Sequence, residues 1–188
     1  QAIKQYSGKP YQSFTREALA AWKQNLLKGD QADGPVPEFI TSASPKNVMD
    51  YLFPVCLGPD SMIVSRRSYR DVPAFYLLTG GREQKIRTRD FGLDEYYSAN
   101  HHSIVYAAYE TDPRWGNREF SVLKLVDIAT GSQRTLTHRS RYFSPVLHPG
   151  GGELLAVQVN TNGESRLDRI SVSTGQVIAS IPNPGKLF

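Results

Sequence analysis

Apolar and polar positions toward the C-terminal end of the chain fall into four short runs. The stretch is Tyr142 to Pro184, YFSPVLHPGGGELLAVQVNTNGESRLDRISVSTGQVIASIPNP. A turn signal follows each of the first three runs: Gly150-Gly151-Gly152, then Asn162-Gly163, then Thr174-Gly175. The runs themselves are rich in Val, Ile, Leu and Ser, and their lengths suit strands. Asn-Gly between two such runs predicts a tight hairpin, because both residues tolerate positive φ.

Upstream, the pattern changes twice. Ala2 to Ser7 followed by Gly8 reads as the last turns of a helix with a glycine stop. Lys9-Pro10-Tyr11-Gln12 is expected to turn, and Ser13 to N-cap a second helix from Phe14 to Lys28, stopped by Gly29. Phe14, Ala18, Trp22 and Leu26 form one apolar stripe on that helix, which needs a neighbour to cover it. Gly29 to Pro37 is a turn-rich connection that places a domain boundary, with an edge strand expected over Glu38 to Ser44. From Tyr51 onward helical periodicity disappears. Ile63–Ser65, Phe75–Leu78, Ile104–Tyr109 and Val122–Ile128 are the clearest strands.

The four-run pattern repeats. Tyr142-Phe143-Ser144-Pro145 has a near copy in Tyr96-Tyr97-Ser98-Ala99 and a looser one in Tyr51-Leu52-Phe53-Pro54, beginning 46 and 45 residues apart in turn. A turn-prone stretch and an apolar run follow each. Thr79-Gly80, Thr130-Gly131 and Thr174-Gly175 supply a third landmark in the same order. The middle repeat carries an insertion, Thr111 to Glu119, where the last has Asn162-Gly163. Four strands in about 43 residues are the size of one β-propeller blade. The expected architecture is mainly β: a partial propeller of about three four-stranded blades, near 48–92, 93–140 and 141–184, with an N-terminal helical segment. The helical segment and linker occupy 1–37, and the propeller 38–188. Three blades leave two raw sheet faces and an exposed edge, which predicts self-association or dye binding.

Composition narrows the setting. Net charge is +4 and the basic residues are scattered, so nothing marks a nucleic-acid partner. Arg66-Arg67 with Arg70, and Arg139 with Arg141, read as solvated surface. No apolar run is long enough to span a membrane. Cys56, the one cysteine, lies in the apolar run LFPVCL and is expected to be a buried, inert thiol. Gln1 stands where a start Met would, which suggests a piece of a longer protein.

The last repeat resembles TolB-like, or PD40 (WD40-like), propeller repeats. The residues that carry the likeness are Phe143-Ser144-Pro145, the turn His148-Pro149-Gly150-Gly151 before Glu153–Val159, and Ser173-Thr174-Gly175-Gln176. The family's Ser-Pro-Asp-Gly turn has Gly150 in its Asp position here. The first repeat keeps only Pro59-Asp60, and the second lacks the motif. A second resemblance links Ala2 to Tyr11 and the helix to Lys28 with the helical tail of peptidase-MA-like (gluzincin) domains. Together these imply a periplasmic or cell-envelope protein, with a metallopeptidase-like domain upstream.

The residues themselves offer no catalytic constellation. There is neither H-E-x-x-H nor G-x-S-x-G, so neither a zincin site nor a nucleophile elbow is present. His101, His102, His138 and His148 read as turn or surface residues, and no metal or cofactor is expected. Asp94-Glu95 is expected to be a loop pair without a partner. Propellers bind on the loops that lead into the innermost strands, which here are 47–50, 89–95 and 138–141. Arg89, Asp94, Glu95, Arg139 and Arg141, together with Trp115 on the insertion, are the candidate binding residues. Their mixed charge suits a protein or peptide partner. The expected function is a non-catalytic binding module. The alternative is an accessory, substrate-gating domain of a peptidase whose catalytic domain lies elsewhere.

Overall fold

The computed structural model of the chain describes residues 8–30, 40–41 and 47–185. The helix expected before Gly8 and all but Ile40 and Thr41 of the strand expected over Glu38–Ser44 lie outside them. The chain divides into two compact units, Gln1–Ser42 and Ala43–Phe188.

The first unit holds one helix, α1 (Tyr11–Asp30). It starts earlier than the Ser13 cap predicts. Pro10 precedes the first turn, and its carbonyl accepts from Phe14 N at 3.0 Å. Proline fixes φ near the helical value and lacks the N–H that a first turn leaves unpaired, so it starts the helix better than Ser13 does. Gly8, at φ +69°, reverses the chain just before it. Phe14, Trp22 and Leu26 of the stripe are exposed.

The second unit is built from twelve strands in chain order. They are β1 (Met49–Gly58), β2 (Ser61–Ser68), β3 (Ala74–Thr79), β4 (Arg82–Thr88), β5 (Tyr97–Ala99), β6 (Ser103–Thr111), β7 (Glu119–Asp127), β8 (Gln133–Thr135), β9 (Tyr142–Leu147), β10 (Glu153–Val159), β11 (Ser165–Ser171) and β12 (Val177–Pro182). They form three four-stranded antiparallel meanders, β1-β2-β3-β4, β5-β6-β7-β8 and β9-β10-β11-β12. The four runs of the opening pattern are the third sheet.

Two interfaces hold the sheets together. Between the first and second, Ile63 and Phe75 meet Tyr97, Ile104, Tyr106 and Val126. Phe75 packs edge-on against Tyr97 and Tyr106, with ring centroids 5.1 and 5.2 Å apart. Tyr97 spans the joint, its hydroxyl donating to Phe53 O at 2.7 Å or Ile63 O at 2.9 Å. Between the second and third, Val105, Ala107, Leu123 and Leu125 meet Tyr142, Leu147, Leu154, Ala156 and Ile170. The second sheet is therefore covered on both sides. This explains why Ile104 to Ala108 is an unbroken apolar run and not an alternating one.

Turns complete each joint. Gly131 (φ +67°) and Gly175 (φ +72°) are each the fourth residue of a five-residue turn that laps the preceding sheet. A Cβ there would stand 2.7 Å from Ile86 O or 2.0 Å from Leu136 O, so only glycine fits. An arginine of the earlier sheet then grips each turn. Arg87 Nη1 donates to Gly131 O at 2.9 Å, and Arg134 donates to the carbonyls of Val172 and Ser173.

The structure corrects three readings. The Tyr96–Ala99 copy is out of register: Ala99 sits opposite Ile104 as Leu147 sits opposite Leu154. The cause is a bulge at Ser144 (φ +47°) and another at Phe53 (φ +52°), each before a proline, that the second sheet lacks. The Thr79-Gly80 landmark is a two-residue hairpin, Gly80-Gly81, and not the five-residue turn of the other two. Cys56 is exposed. Its neighbours Val55 and Leu57 pack against the first joint, and strand alternation turns Cys56 away from it.

Candidate functional site

Antiparallel pairing puts the approaches to β1, β5 and β9 at one end of the sheets, together with the β2–β3, β6–β7 and β10–β11 loops. This upper end holds a cleft of about 290 Å³ between the first sheet and the segment that leads into β5. Leu52, Val72, Pro73 and Phe91 give it apolar walls, and Arg67, Arg89, Asp90 and Glu95 supply charge.

Arg89 is the floor. It is buried, and its guanidinium donates to the carbonyls of Asp94, Glu95 and Tyr96 while lying 5.4 Å from the Tyr106 ring centroid. Burial lowers its pKa, and the neighbouring acids and tyrosines oppose that shift. With its donors spent on backbone, Arg89 shapes the 94–96 loop.

Above it, Arg67 pairs with both Asp50 and Glu95. The hydrogen bond it donates to Asp50 and the charge of Glu95 raise its pKa. Asp94 accepts from Tyr96 N at 2.7 Å and from Ser144 Oγ at 3.1 Å, which ties the loop to the third sheet. The pair expected to lack partners is thus fully engaged. Nor is Arg66 plain solvated surface: its guanidinium sits 3.9 Å over the Tyr76 ring, donates to Tyr76 Oη at 2.7 Å and pairs with Glu83.

Asp90 pairs with Lys124 and accepts from Gln133 Nε2 at 2.9 Å. Burial pushes its pKa upward, but the bonds from Lys124 and Gln133 outweigh burial and hold the carboxyl below its usual range.

Val72 and Phe91 of this cleft are exposed, as is Leu93 two residues on, and an adjoining hollow that shares Arg67 is lined by the exposed Val48 and Tyr69, with Tyr69 at 95% and Phe91 at 78%. Ser68 holds the loop that presents Tyr69, its Oγ accepting from Arg70 N and Asp71 N at 3.1 and 3.0 Å. Sequence reasoning missed this rim. Its only signal was large apolar residues inside turn-rich segments.

The other candidates form a separate group. Trp115 is 58% exposed at the tip of the β6–β7 hairpin, with Arg114 stacked at 5.4 Å. Asp112 Oδ1 builds that tip by accepting from Arg114 N at 2.9 Å and Trp115 N at 3.3 Å. The first of these bonds is the main cause of the lowered Asp112 pKa, with Arg118 and Arg139 adding to it. Arg139 (φ +47°) and Arg141 are exposed on the strap that leads into β9. All four histidines are exposed, and among the described residues no group of His, Cys, Asp or Glu is placed to hold a metal.

No protein-family model matches this chain, and no curated protein matches it. Solved structures do. A puromycin-hydrolyzing peptidase of Mycobacterium tuberculosis superposes with a TM-score of 0.51 at 14% identity, over 71% of this chain and 20% of the peptidase. The fold is a partial β-propeller. TolB of Acinetobacter baumannii superposes more loosely, with a TM-score of 0.35 at 18% identity over 80% of this chain and 47% of its own. A chain of the nidogen/laminin complex gives 0.42 at 17% identity over 66% and 47%. The chain thus spans a fifth of the peptidase and under half of the other two. Each sheet is one blade. Among the described residues no helix is long and apolar enough to cross a membrane.

Proposed function

We propose that this chain is a non-catalytic propeller module that binds a protein or an extended peptide at its upper end, in the periplasm or cell envelope. The observation that carries the reading is the set of exposed apolar side chains at this end: Val72 and Phe91 on the cleft that holds Arg89, and Val48 and Tyr69 on an adjoining hollow that shares Arg67. Aromatic anchors beside a charged pair supply affinity and orientation in such interfaces. Selection of a displayed peptide library on the 188-residue chain tests it. Enriched peptides should carry an aromatic or aliphatic anchor and lose about tenfold or more in affinity to a Tyr69→Ser/Phe91→Ser chain, as expected for the loss of anchor residues. Equal binding to that variant overturns the site.

A second reading makes the module an accessory domain that gates or orients substrate for a peptidase. The likeness of its fold to part of a puromycin-hydrolyzing peptidase favours it. In that reading the residues before Tyr11 would continue a metallopeptidase-like domain, and the domain boundary would fall near residue 37. Sequencing the complete reading frame tests both points, and absence of any peptidase motif would remove this reading.

A further inference from the structure

The charges at the upper end divide by what holds them. Asp50 and Glu95 pair with Arg67, and Asp90 pairs with Lys124. Asp94 accepts from Tyr96 N and Ser144 Oγ, and Asp71 accepts from Ser68 Oγ. These carboxylates are spent on the fold. Arg114, Arg118, Arg139 and Arg141 are exposed, and among the described residues none of their guanidinium groups donates a hydrogen bond or forms an ion pair. The hairpin tip 112–118 and the strap 138–141 thus set four arginines against one acid, Asp112. Glu110 and Glu119 are open too, on the strand ends beneath the tip.

Both segments are braced. Asp112 N donates to Arg118 O at 3.0 Å and Arg118 N to Trp115 O at 2.8 Å, which closes the tip with Trp115 outward and Arg114 against its ring. The strap is fastened to β7: Ser121 N donates to Ser140 O at 2.9 Å, Ser140 Oγ to Ser121 O at 3.0 Å, and Leu123 N to Thr137 Oγ1 at 2.9 Å. Arg118 and Arg139 both favour the charged form of Asp112, which puts tip and strap side by side. Arg139 lies at φ +47°, a conformation that glycine adopts without strain and arginine does not. Its side chain bonds to nothing in the fold, so the fold alone would be served better by glycine. Strain of this kind points to a use outside the fold. The tip also adjoins the apolar part of this end. Tyr109 N donates to Phe91 O at 2.8 Å, and the two rings lie 5.6 Å apart at the foot of the hairpin.

We propose that tip and strap form the cationic half of the binding surface, and that the peptide bound at this end is acidic. Its Asp or Glu side chains meet Arg114, Arg139 and Arg141 while an aromatic or aliphatic residue enters the cleft beside Phe91. Planar guanidinium groups take carboxylates through paired hydrogen bonds, and Trp115 adds an aromatic contact at the tip. An anionic membrane fits less well. Asp71 and Glu164 stand exposed at the same end, and a flat array of negative charge would meet them as well as the arginines. The inference rests on the peptide-binding reading above.

Three displayed peptide libraries test it, sharing a randomised half and differing in a fixed block of Glu, Ser or Lys. On the whole chain the Glu library should enrich. Its clones should lose about tenfold in affinity on an Arg114→Ser/Arg139→Gly/Arg141→Ser chain, the sum expected of three exposed ion pairs. Raised salt should weaken the same clones. Arg139→Glu/Arg141→Glu should move the preference from the Glu block to the Lys block. Arg139→Gly by itself should leave the melting temperature unchanged or higher; a lower one would show that Arg139 serves the fold and would overturn its assignment. Equal enrichment of the Ser library, in clones that still depend on Tyr69 and Phe91, overturns the acidic partner and leaves the peptide site standing. No enrichment in any library overturns both. Binding to phosphatidylglycerol vesicles with no acidic clone makes a membrane the occupant and likewise overturns the proposal.

Discussion

The two end faces of the three-blade stack are built from the same repeat and finish in opposite ways. On blade one, Val64, Ala74, Tyr76 and Leu78 are buried, and Tyr51, Met62, Arg66 and Glu83 stand around them. Tyr51 donates to Glu83 at 2.6 Å, and Arg66 lies flat on Tyr76 while pairing with the same glutamate. On blade three, Val146, Leu155 and Ile181 are open. The outer strands differ in the same sense. β4 carries Arg82, Glu83, Lys85 and Arg87, whereas β12 carries no charge at all. Charged edges discourage further pairing, and uncharged ones invite it.

Truncation should separate the faces most. Tyr76→Ala removes a buried ring and should cost about 3–5 kcal/mol in urea unfolding. Leu155→Ala acts on an open face and should stay within about 1 kcal/mol. Similar losses for the two would mean that the faces are equally covered.

The turns give the next largest contrast. Gly175→Ala forces a Cβ onto the Leu136 carbonyl at positive φ and should cost about 2–4 kcal/mol. Gly80→Ala meets nothing within 4 Å and bears only the conformational term, about 1–2 kcal/mol. Equal losses would show that the Gly175 turn does not press on blade two.

Alkali should open the joints. Burial pushes the Tyr106 hydroxyl up to about 12, and burial also raises Tyr97 and Tyr142. Above the ordinary tyrosine pKa the unfolded chain loses this proton and the native chain keeps it, so stability falls with rising pH. For Tyr106 the loss between pH 10 and 12 is about 2–3 kcal/mol. Tyr106→Phe should flatten that part of the pH profile. An unchanged profile would place the titration elsewhere.

The strand order of the third blade could be read directly, because Gly150-Gly151-Gly152, Asn162-Gly163 and Thr174-Gly175 mark its turns locally. Register was not legible in the same way. The Tyr-Tyr-Ser-Ala similarity concealed a bulge present in β9 and absent in β5, and a bulge shifts pairing without changing residue type. Cys56 and Arg66 were misread because an apolar run or a basic cluster does not say which way each side chain points. At the site, topology brought Arg89, Asp94 and Glu95 to one loop. Tyr69 and Val72 come from the β2–β3 loop of blade one and Phe91 and Leu93 from its exit, and such a grouping exists only once the sheet has formed.

The smallest expected effect probes the seal itself. Glu83 accepts from Tyr51 and from Arg66, so Glu83→Gln keeps the shape and removes the charge. The pair is only partly buried, with side-chain exposures of 18% and 27%, so the loss should be about 1 kcal/mol or less. Burial and the Glu83 hydrogen bond both raise the Tyr51 pKa, and the substitution should bring it back toward its ordinary value. Ultraviolet titration of the variant reads that shift, and dye binding reads whether Val64 and Leu78 become accessible. If the face opens at this small energetic loss, then the Glu83 carboxylate, beyond simple packing, is what closes blade one. If Tyr51 shifts while the face stays closed, apolar packing by Tyr51 and Met62 suffices, and the charge serves to orient Arg66 over Tyr76.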